Sequence, residues 1–419
     1  MKHKLLLLVL SLLLISKNGL AYDFEVDGIY YGLETTSMTA YVTGATGSGG
    51  YSGNIIIPSK VTYNTKELDV TAIRNKAFYG CNISSITIPN SIVSIGESAF
   101  ENCSITNMEL PNSLNSIGNY AFRGSKLVSM LIPNSVTSIG ISAFANCKDL
   151  EICNLPNSLK IISRTMFYGC IKLSNFTIPL GVYTIQDYAF AECNSINKLF
   201  IPKNVTYIGL GAFSNDSSIT EVIIEDSENS LYVEASNNSL RPTYVYIGRV
   251  VNGSNILGWG SKTLKKVTLG SKINGNNLPI SSYIEEIYSN IVDPTPITQF
   301  SNKIYINCKL YIPQGTLDKY QSTKGWKEFF QIIEDPSLGN ETSDVKQTNA
   351  DNPTVKISNG QVSVSGMEDK TLVSVFDING TLLGSTCSSN GNAVIRTSLP
   401  QNAIVITKVG NKSFKTIMK

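Results

Sequence analysis

Residues 127–147 read Leu-Val-Ser-Met-Leu-Ile-Pro-Asn-Ser-Val-Thr-Ser-Ile-Gly-Ile-Ser-Ala-Phe-Ala-Asn-Cys, and this stretch returns along the chain. Counting outward from Pro133, prolines recur at Pro89, Pro111, Pro156, Pro179 and Pro202, in steps of 22 or 23 residues. Three places after each proline stands an aliphatic residue: Ile92, Leu114, Val136, Leu159, Val182, Val205. Six places after it stands isoleucine, at Ile95, Ile117, Ile139, Ile162, Ile185 and Ile208. Eleven places after it stands phenylalanine, at Phe100, Phe122, Phe144, Phe167, Phe190 and Phe213. A strict period of this length is the mark of stacked coils, each burying its apolar edge against the next. An earlier copy ends at Pro58 and reaches Ala77-Phe78 with nine extra residues between them.

Before each proline the chain has the form apolar-x-x-apolar-x-apolar, as in Leu127–Ile132 and Ile196–Ile201. Its last four residues alternate as a strand does, with the third-last and last facing inward. Proline then ends the strand, because it has no N–H to donate to a ladder. The short apolar pair that follows is expected to turn the chain at Gly96, Gly118, Gly140 and Gly209. The Ala-Phe step carries a ring back into the core, so the phenylalanines should form an aromatic spine.

The unit at 127–147 resembles the BspA-like class of leucine-rich repeats, found on surface proteins of anaerobic Gram-negative bacteria and some protists. The resemblance implies a right-handed arc whose strands form one parallel sheet along the concave side. It also implies adhesion to host matrix proteins, host cells or other bacteria. The fold expected is mainly β: a leucine-rich-repeat solenoid of 22–23-residue coils, a curved parallel sheet, followed by a small C-terminal β-sandwich domain.

Residues 1–21 read as a secretory signal peptide. Lys2, His3 and Lys4 precede an apolar run from Leu5 to Ile15, and Gly19-Leu20-Ala21 offers a cleavage site after Ala21. Residues 22–53 form an N-terminal cap, with a hairpin turning at Asp27-Gly28. Residues 54–217 are the regular repeats. Residues 218–334 hold irregular repeats, among them Ile219–Ile224, Tyr244–Val251, Leu264–Leu269 and Ile284–Tyr288, and then a C-terminal cap. The cap includes Gly315–Tyr320 and Gly325–Phe330, the second of which reads as a short helix with a Trp/Phe plug. Residues 335–352 are a polar linker. Residues 353–419 carry strands with Gly turns and resemble the C-terminal sorting domain of the type IX secretion system, through Val375–Gly380, Leu399-Pro400 and a basic end. Asn402 and Ile404 stand where that motif has Gly and Tyr. An export signal and a plain accessory β-domain both remain open.

The chain has 34 Lys and Arg against 32 Asp and Glu, and Lys2, Lys4 and Lys17 belong to the leader. The mature protein is then slightly acidic, which argues against nucleic acid as a partner. The leader also holds the single histidine, His3, so Ser-His-Asp and Cys-His catalysis have no base. No phosphate-binding glycine loop or dinucleotide fingerprint is present. Glu225, Asp226 and Glu228 form the densest acidic cluster, of a kind that serves Ca²⁺ or glycoside chemistry but more often solvates a loop.

Cys81, Cys103, Cys147, Cys170 and Cys193 share one register, which Ser125 and Asp216 occupy in two other coils. Side chains in one register point the same way, which is poor geometry for disulfides, so buried thiols are the preferred reading. No cofactor or metal is expected.

Three functions stay open: a binding protein using the array as a recognition face, a structural envelope or matrix component, and a hydrolase with carboxylates among the irregular coils. The first has the family resemblance behind it, and its partner would be an extracellular protein or glycan, met by a secreted or surface-held monomer. The candidate face is the row between the two inward positions of each strand: Thr87, Glu109, Leu131, Asn154, Thr177, Phe200 and Ile223.

Overall fold

In the computed structural model, the description covers residues 22–44, 50–174, 176–234, 240–253, 256–258, 260–273, 278, 281–297 and 300–339. Toward the C-terminus it covers 354–358, 361–365, 371–377, 382–389, 392–396, 404–409 and 412–417. The proposed leader, most of the linker, and the motif residues at 378–380 and 399–400 lie outside it.

The phenylalanine register builds the core. Phe78, Phe100, Phe122, Phe144, Phe167 and Phe190 are fully enclosed, and Phe213 nearly so. Successive rings lie 5.0 to 5.5 Å apart, with planes within 13° of parallel. Backbone hydrogen bonds between coils hold this spine. Phe122 N–H donates to the Ala143 carbonyl at 2.8 Å, and Phe144 N–H to that of Met166 at 3.0 Å.

The regular coils build two rows of strands, where the sequence reading had one. The first row carries the strands before proline, but it is not continuous. Ser52–Ile56 pairs with Asn82–Thr87, and Ser129–Leu131 with Ile152–Asn154, all in parallel. A seven-stranded parallel run then begins at Lys198–Ile201. The stretches 105–110 and 173–178 adopt no strand among their described residues. The second row is built from the two-residue pairs ending in isoleucine, which were expected to turn the chain. Ser94–Ile95, Ser116–Ile117 and Ser138–Ile139 pair in parallel, as do Ile161–Ile162, Thr184–Ile185 and Tyr207–Ile208.

Glycine follows most of these pairs because the coils approach closely there. A Cβ on Gly118 would lie 2.6 Å from the Gly96 carbonyl carbon and 2.7 Å from the Glu97 nitrogen.

At the N-terminal end Phe24–Val26 and Ile29–Glu34 form an antiparallel hairpin through Asp27 and Gly28, both at positive φ. The extra residues of the first repeat are taken up in a second hairpin, Lys60–Tyr63 with Lys66–Ile73, through Asn64 and Thr65 at positive φ. Its last residues, Ala72 and Ile73, pair with Ser94 and Ile95 and so restore the register.

At the other end the helix lies at Leu317–Ser322, whereas 325–330 is a run of turns. Trp326 and Phe329 are buried there and supply the plug, but Phe330 is 79% exposed. Gly325 stands at φ 90°, outside the helical region, and the turn still seats the Trp326 indole, whose Nε1–H donates to the Thr295 carbonyl at 3.0 Å. The first linker residues belong to this end. Asp335 closes the strand Gln331–Asp335, and Gly339 N–H donates to Asn290 Oδ1 at 3.3 Å.

Cys81, Cys103, Cys147, Cys153, Cys170, Cys193 and Cys308 are free and buried. Cys147, Cys170 and Cys193 direct their sulfurs to the carbonyls of Phe122, Phe144 and Phe167 in the preceding coil, at 3.0 to 3.2 Å. Arg249 is an unforeseen crosslink. It is fully buried, and its guanidinium donates to the carbonyls of Pro202 and Lys203 at 2.8 and 2.7 Å, joining the irregular coils to the last regular one.

The C-terminal strands make two antiparallel sheets. Thr354–Ser358, Gln361–Ser365 and Asn392–Arg396 form one; Leu382–Cys387, Leu372–Asp377, Ile404–Val409 and Lys412–Ile417 form the other, in that spatial order. Val362, Val364, Val373 and Val375 are buried among them.

Candidate binding face

The proline-ended strands present alternate residues to the core and to the opposite face. Along the seven-stranded run the inward residues, such as Leu199 and Ile201, Val222 and Ile224, Val245 and Ile247, are almost wholly buried. Their neighbours form two outward columns. In one, Lys198, Glu221, Tyr244, Lys266, Glu286, Lys309 and Gln331 stand side by side. In the other, Phe200, Ile223, Tyr246, Thr268, Tyr288, Tyr311 and Ile333 do.

The seven residues singled out from sequence do not share one ladder. Thr87 is exposed beside Ile56, which is itself 63% exposed. Glu109 and Thr177 are exposed on stretches that form no strand. Leu131 and Asn154 are half-buried neighbours. Phe200 is half-buried and pairs with Ile223. Ile223, expected to face solvent, is only 4% exposed. It stands outside the contiguous core cluster, so its cover comes from this outer face, where Phe200 and Tyr246 flank it.

Sequence reasoning missed the continuation of this column through Tyr246, Tyr288 and Tyr311. The alternation was legible in Tyr244–Ile247 and Lys309–Ile312. Pro313 phases the second of these as Pro202 phases Lys198–Ile201, but Tyr244–Ile247 and the strand of Tyr288 carry no proline after them.

The face is electrostatically mixed. Lys198 and Glu221 form an ion pair at 3.1 Å. Lys266 Nζ lies 4.1 Å from the centre of the Tyr288 ring, and the Tyr311 ring stacks on Tyr288 at 4.5 Å. Tyr246 donates to Asp226 Oδ2 at 2.6 Å and Tyr288 to Glu286 Oε2 at 3.1 Å. Burial, reinforced by these carboxylates, pushes the Tyr288 phenol up to about 12 and raises that of Tyr246 further. Both therefore stay protonated donors at any physiological pH.

The acidic cluster is taken up by the fold. Glu225 accepts the Lys203 N–H at 2.7 Å, Asp226 holds Tyr246, and Glu228 pairs with Lys272 at 2.9 Å. Among the described residues no three His, Cys, Asp or Glu are gathered as a metal site, and no helix is long and apolar enough to cross a membrane.

Residues 71–179 and 115–241 match the BspA type leucine rich repeat region, in six copies. The coils within these residues are leucine-rich repeats of the BspA type. Among solved structures, a leucine-rich repeat protein from Bacteroides ovatus is 22% identical, with 75% of this chain and 100% of that one aligned and a TM-score of 0.37. A leucine rich cell surface protein from Faecalibacterium prausnitzii is 19% identical over 74% of this chain and 94% of that one, with a TM-score of 0.42. The T. pallidum leucine rich repeat protein is 28% identical over 45% of this chain and 86% of that one, with a TM-score of 0.39. No curated protein matches the chain.

Proposed function

We propose that this protein is a non-enzymatic adhesin, secreted or held at the bacterial surface, that binds an extracellular protein or glycan along the outward columns of its BspA-type repeats. The observation that carries this reading is the change of character along the candidate face. Its early members Thr87, Glu109, Asn154 and Thr177 are polar and Leu131 is apolar, whereas from Phe200 onward the column is dominated by aromatic and aliphatic side chains. Half-buried tyrosines on a polar-edged sheet are what interface anchors are made of. The leader sequence and the C-terminal strands fit an exported chain. A non-enzymatic role is supported by the buried thiols, whose ionisation burial opposes, and by acids already engaged in the fold.

The test is a screen of matrix proteins, cells and glycans with the full chain, repeated with Phe200→Ser and Tyr288→Ala. An anchor residue should cost about 2 kcal/mol, roughly thirtyfold in Kd. Full binding by both folded variants would place the contact elsewhere.

A further inference from the structure

The seven-stranded run ends at Gln331–Asp335, and no described strand pairs with its outer edge. Such an edge offers unpaired N–H and C=O groups, which proteins guard with short strands, charges, proline or bulges. The N-terminal edges are guarded in this way. Phe24–Val26 has three residues, Glu25 among them, and stands between Asp23 and Asp27. Ser52–Ile56 carries Gly53 at positive φ and a register shift against its neighbour. Gln331–Asp335 pairs in unbroken register and contains no Lys, Pro or Gly. Its two carboxylates are turned back on their own chain. Glu334 accepts the Gly315 and Leu317 N–H at 2.7 and 3.3 Å, and Asp335 accepts from the N–H and hydroxyl of Ser337 at 2.8 and 2.6 Å. Among the described residues Phe330, just before this strand, is the most exposed large apolar side chain, and Ile333 ends the outward column exposed. The polar stretch 340–352 has Val345 as its one large apolar residue, so it supplies no strand to match this edge.

A second copy of the same edge does match it. A twofold axis perpendicular to the sheet sets the two strands antiparallel and keeps both core faces on one side. An axis along the strands makes them parallel and turns one core face to water. In the antiparallel pair only residues of the same face stand opposite each other, so the axis passes a residue that meets itself. Centred on Ile333, the match uses the whole strand: Gln331 stands opposite Asp335 of the second copy, Ile332 opposite Glu334, and Phe330 opposite Pro336. No like charges meet. Centred on Glu334, two carboxylates would face each other. Centred on Ile332, Asp335 would face the buried Phe329.

We propose that Gln331–Asp335 is a dimerisation edge that pairs antiparallel with the same strand of a second copy, centred on Ile333. The two seven-stranded runs then form one sheet, and the outward columns of both copies face the same side. The sequence reading expected a monomer; this edge gives a two-armed molecule, whichever residues of the column meet a ligand.

Analytical ultracentrifugation of the full chain over a range of concentrations should show a monomer–dimer equilibrium. Ile333→Lys and Ile333→Asp each set like charges opposite one another and should each raise the dimer Kd by about tenfold or more. Mixed in equal amounts, these two variants should restore the dimer, because opposite charges then meet across the axis. A parent chain that stays monomeric, a charged variant that dimerises alone as the parent does, a mixture that stays monomeric, or open-ended polymers would each overturn the proposal. Circular dichroism and thermal midpoints report whether the charged variants fold. If either does not, Phe330→Ser carries the test: it should raise the dimer Kd by about tenfold, and a parental Kd overturns the proposal.

Discussion

Phe144 lies 5.3 Å from the Phe122 ring and 5.5 Å from that of Phe167, with nothing of it exposed. Phe144→Ala therefore leaves a cavity between two coils that cannot collapse independently. It should cost about 3–5 kcal/mol, read as a lower denaturation midpoint in urea at unchanged slope. Asp216, one of the two residues that break the thiol register, has the opposite prospect. Asp216 is fully buried, and neither carboxylate oxygen has a hydrogen-bond partner. Burial pushes its pKa up to about 8, Glu192 adds to the rise, and the nearby Cys193 backbone only softens it. Between the unfolded carboxyl's value near 4 and that figure, the folded state holds a proton that the unfolded chain releases, so stability falls as pH climbs through this window. Asp216→Cys restores the register residue and should flatten that loss. Thermal midpoints measured from pH 4 to pH 9 check it: parallel curves for variant and parent would show that Asp216 does not titrate this way. The Phe register was plain in the sequence, since every coil repeats it. Asp216 showed there only as an exception, and its enclosure without a partner depends on neighbours 23 residues away.

At the scale of one coil, two features are exposed to test. Gly118→Ala would drive a methyl into the backbone of the coil before it and should destabilise by roughly 1–3 kcal/mol. An unchanged thermal midpoint would mean that the coils can separate locally. Burial raises the pKa of the column thiols, that of Cys147 to about 11. Cys147, Cys170 and Cys193 should thus resist iodoacetamide at pH 8 in the native protein and react fully once it is denatured. Rapid native labelling would show the column to be open. The strand before proline was legible because alternation over four residues and a terminating proline agree. The second row was not, because a two-residue strand has no alternation to read and is defined only by its hydrogen bonds to neighbouring coils.

On the scale of the whole molecule, a stack of coils needs closed ends. Trp326 is 1% exposed and meets Tyr320 edge-on at 5.3 Å, with Phe300, Tyr305 and Phe329 completing the plug. Trp326→Ala should cost about 3–5 kcal/mol. In such an array the loss should be uneven, with faster hydrogen exchange at Lys266–Leu269 and Glu286–Ser289 than in the coils of Phe122 and Phe144. A uniform rise across all coils would show that the stack unfolds as one unit and not from its end. The fully buried Arg249, lashed to the Pro202 and Lys203 carbonyls, is the feature that would carry such coupling. Its pKa is lowered to about 10 by burial, so it stays charged at neutral pH.

By itself the sequence determined the period, the inward phase of each strand up to Ile224, the phenylalanine spine and the single register of thiols. All of these repeat, and repetition turns one local pattern into a statement about stacking. Only the tertiary structure decided what has no repeat: the breaks in the first row of strands, the burial of Ile223, and the alignment of Phe200 with Tyr246, Tyr288 and Tyr311. After Ile224 the strand-ending proline returns only at Pro313, and the coil length varies. Which tyrosines share a column then depends on hydrogen bonds between strands far apart in the chain, and spacing along the sequence does not encode them.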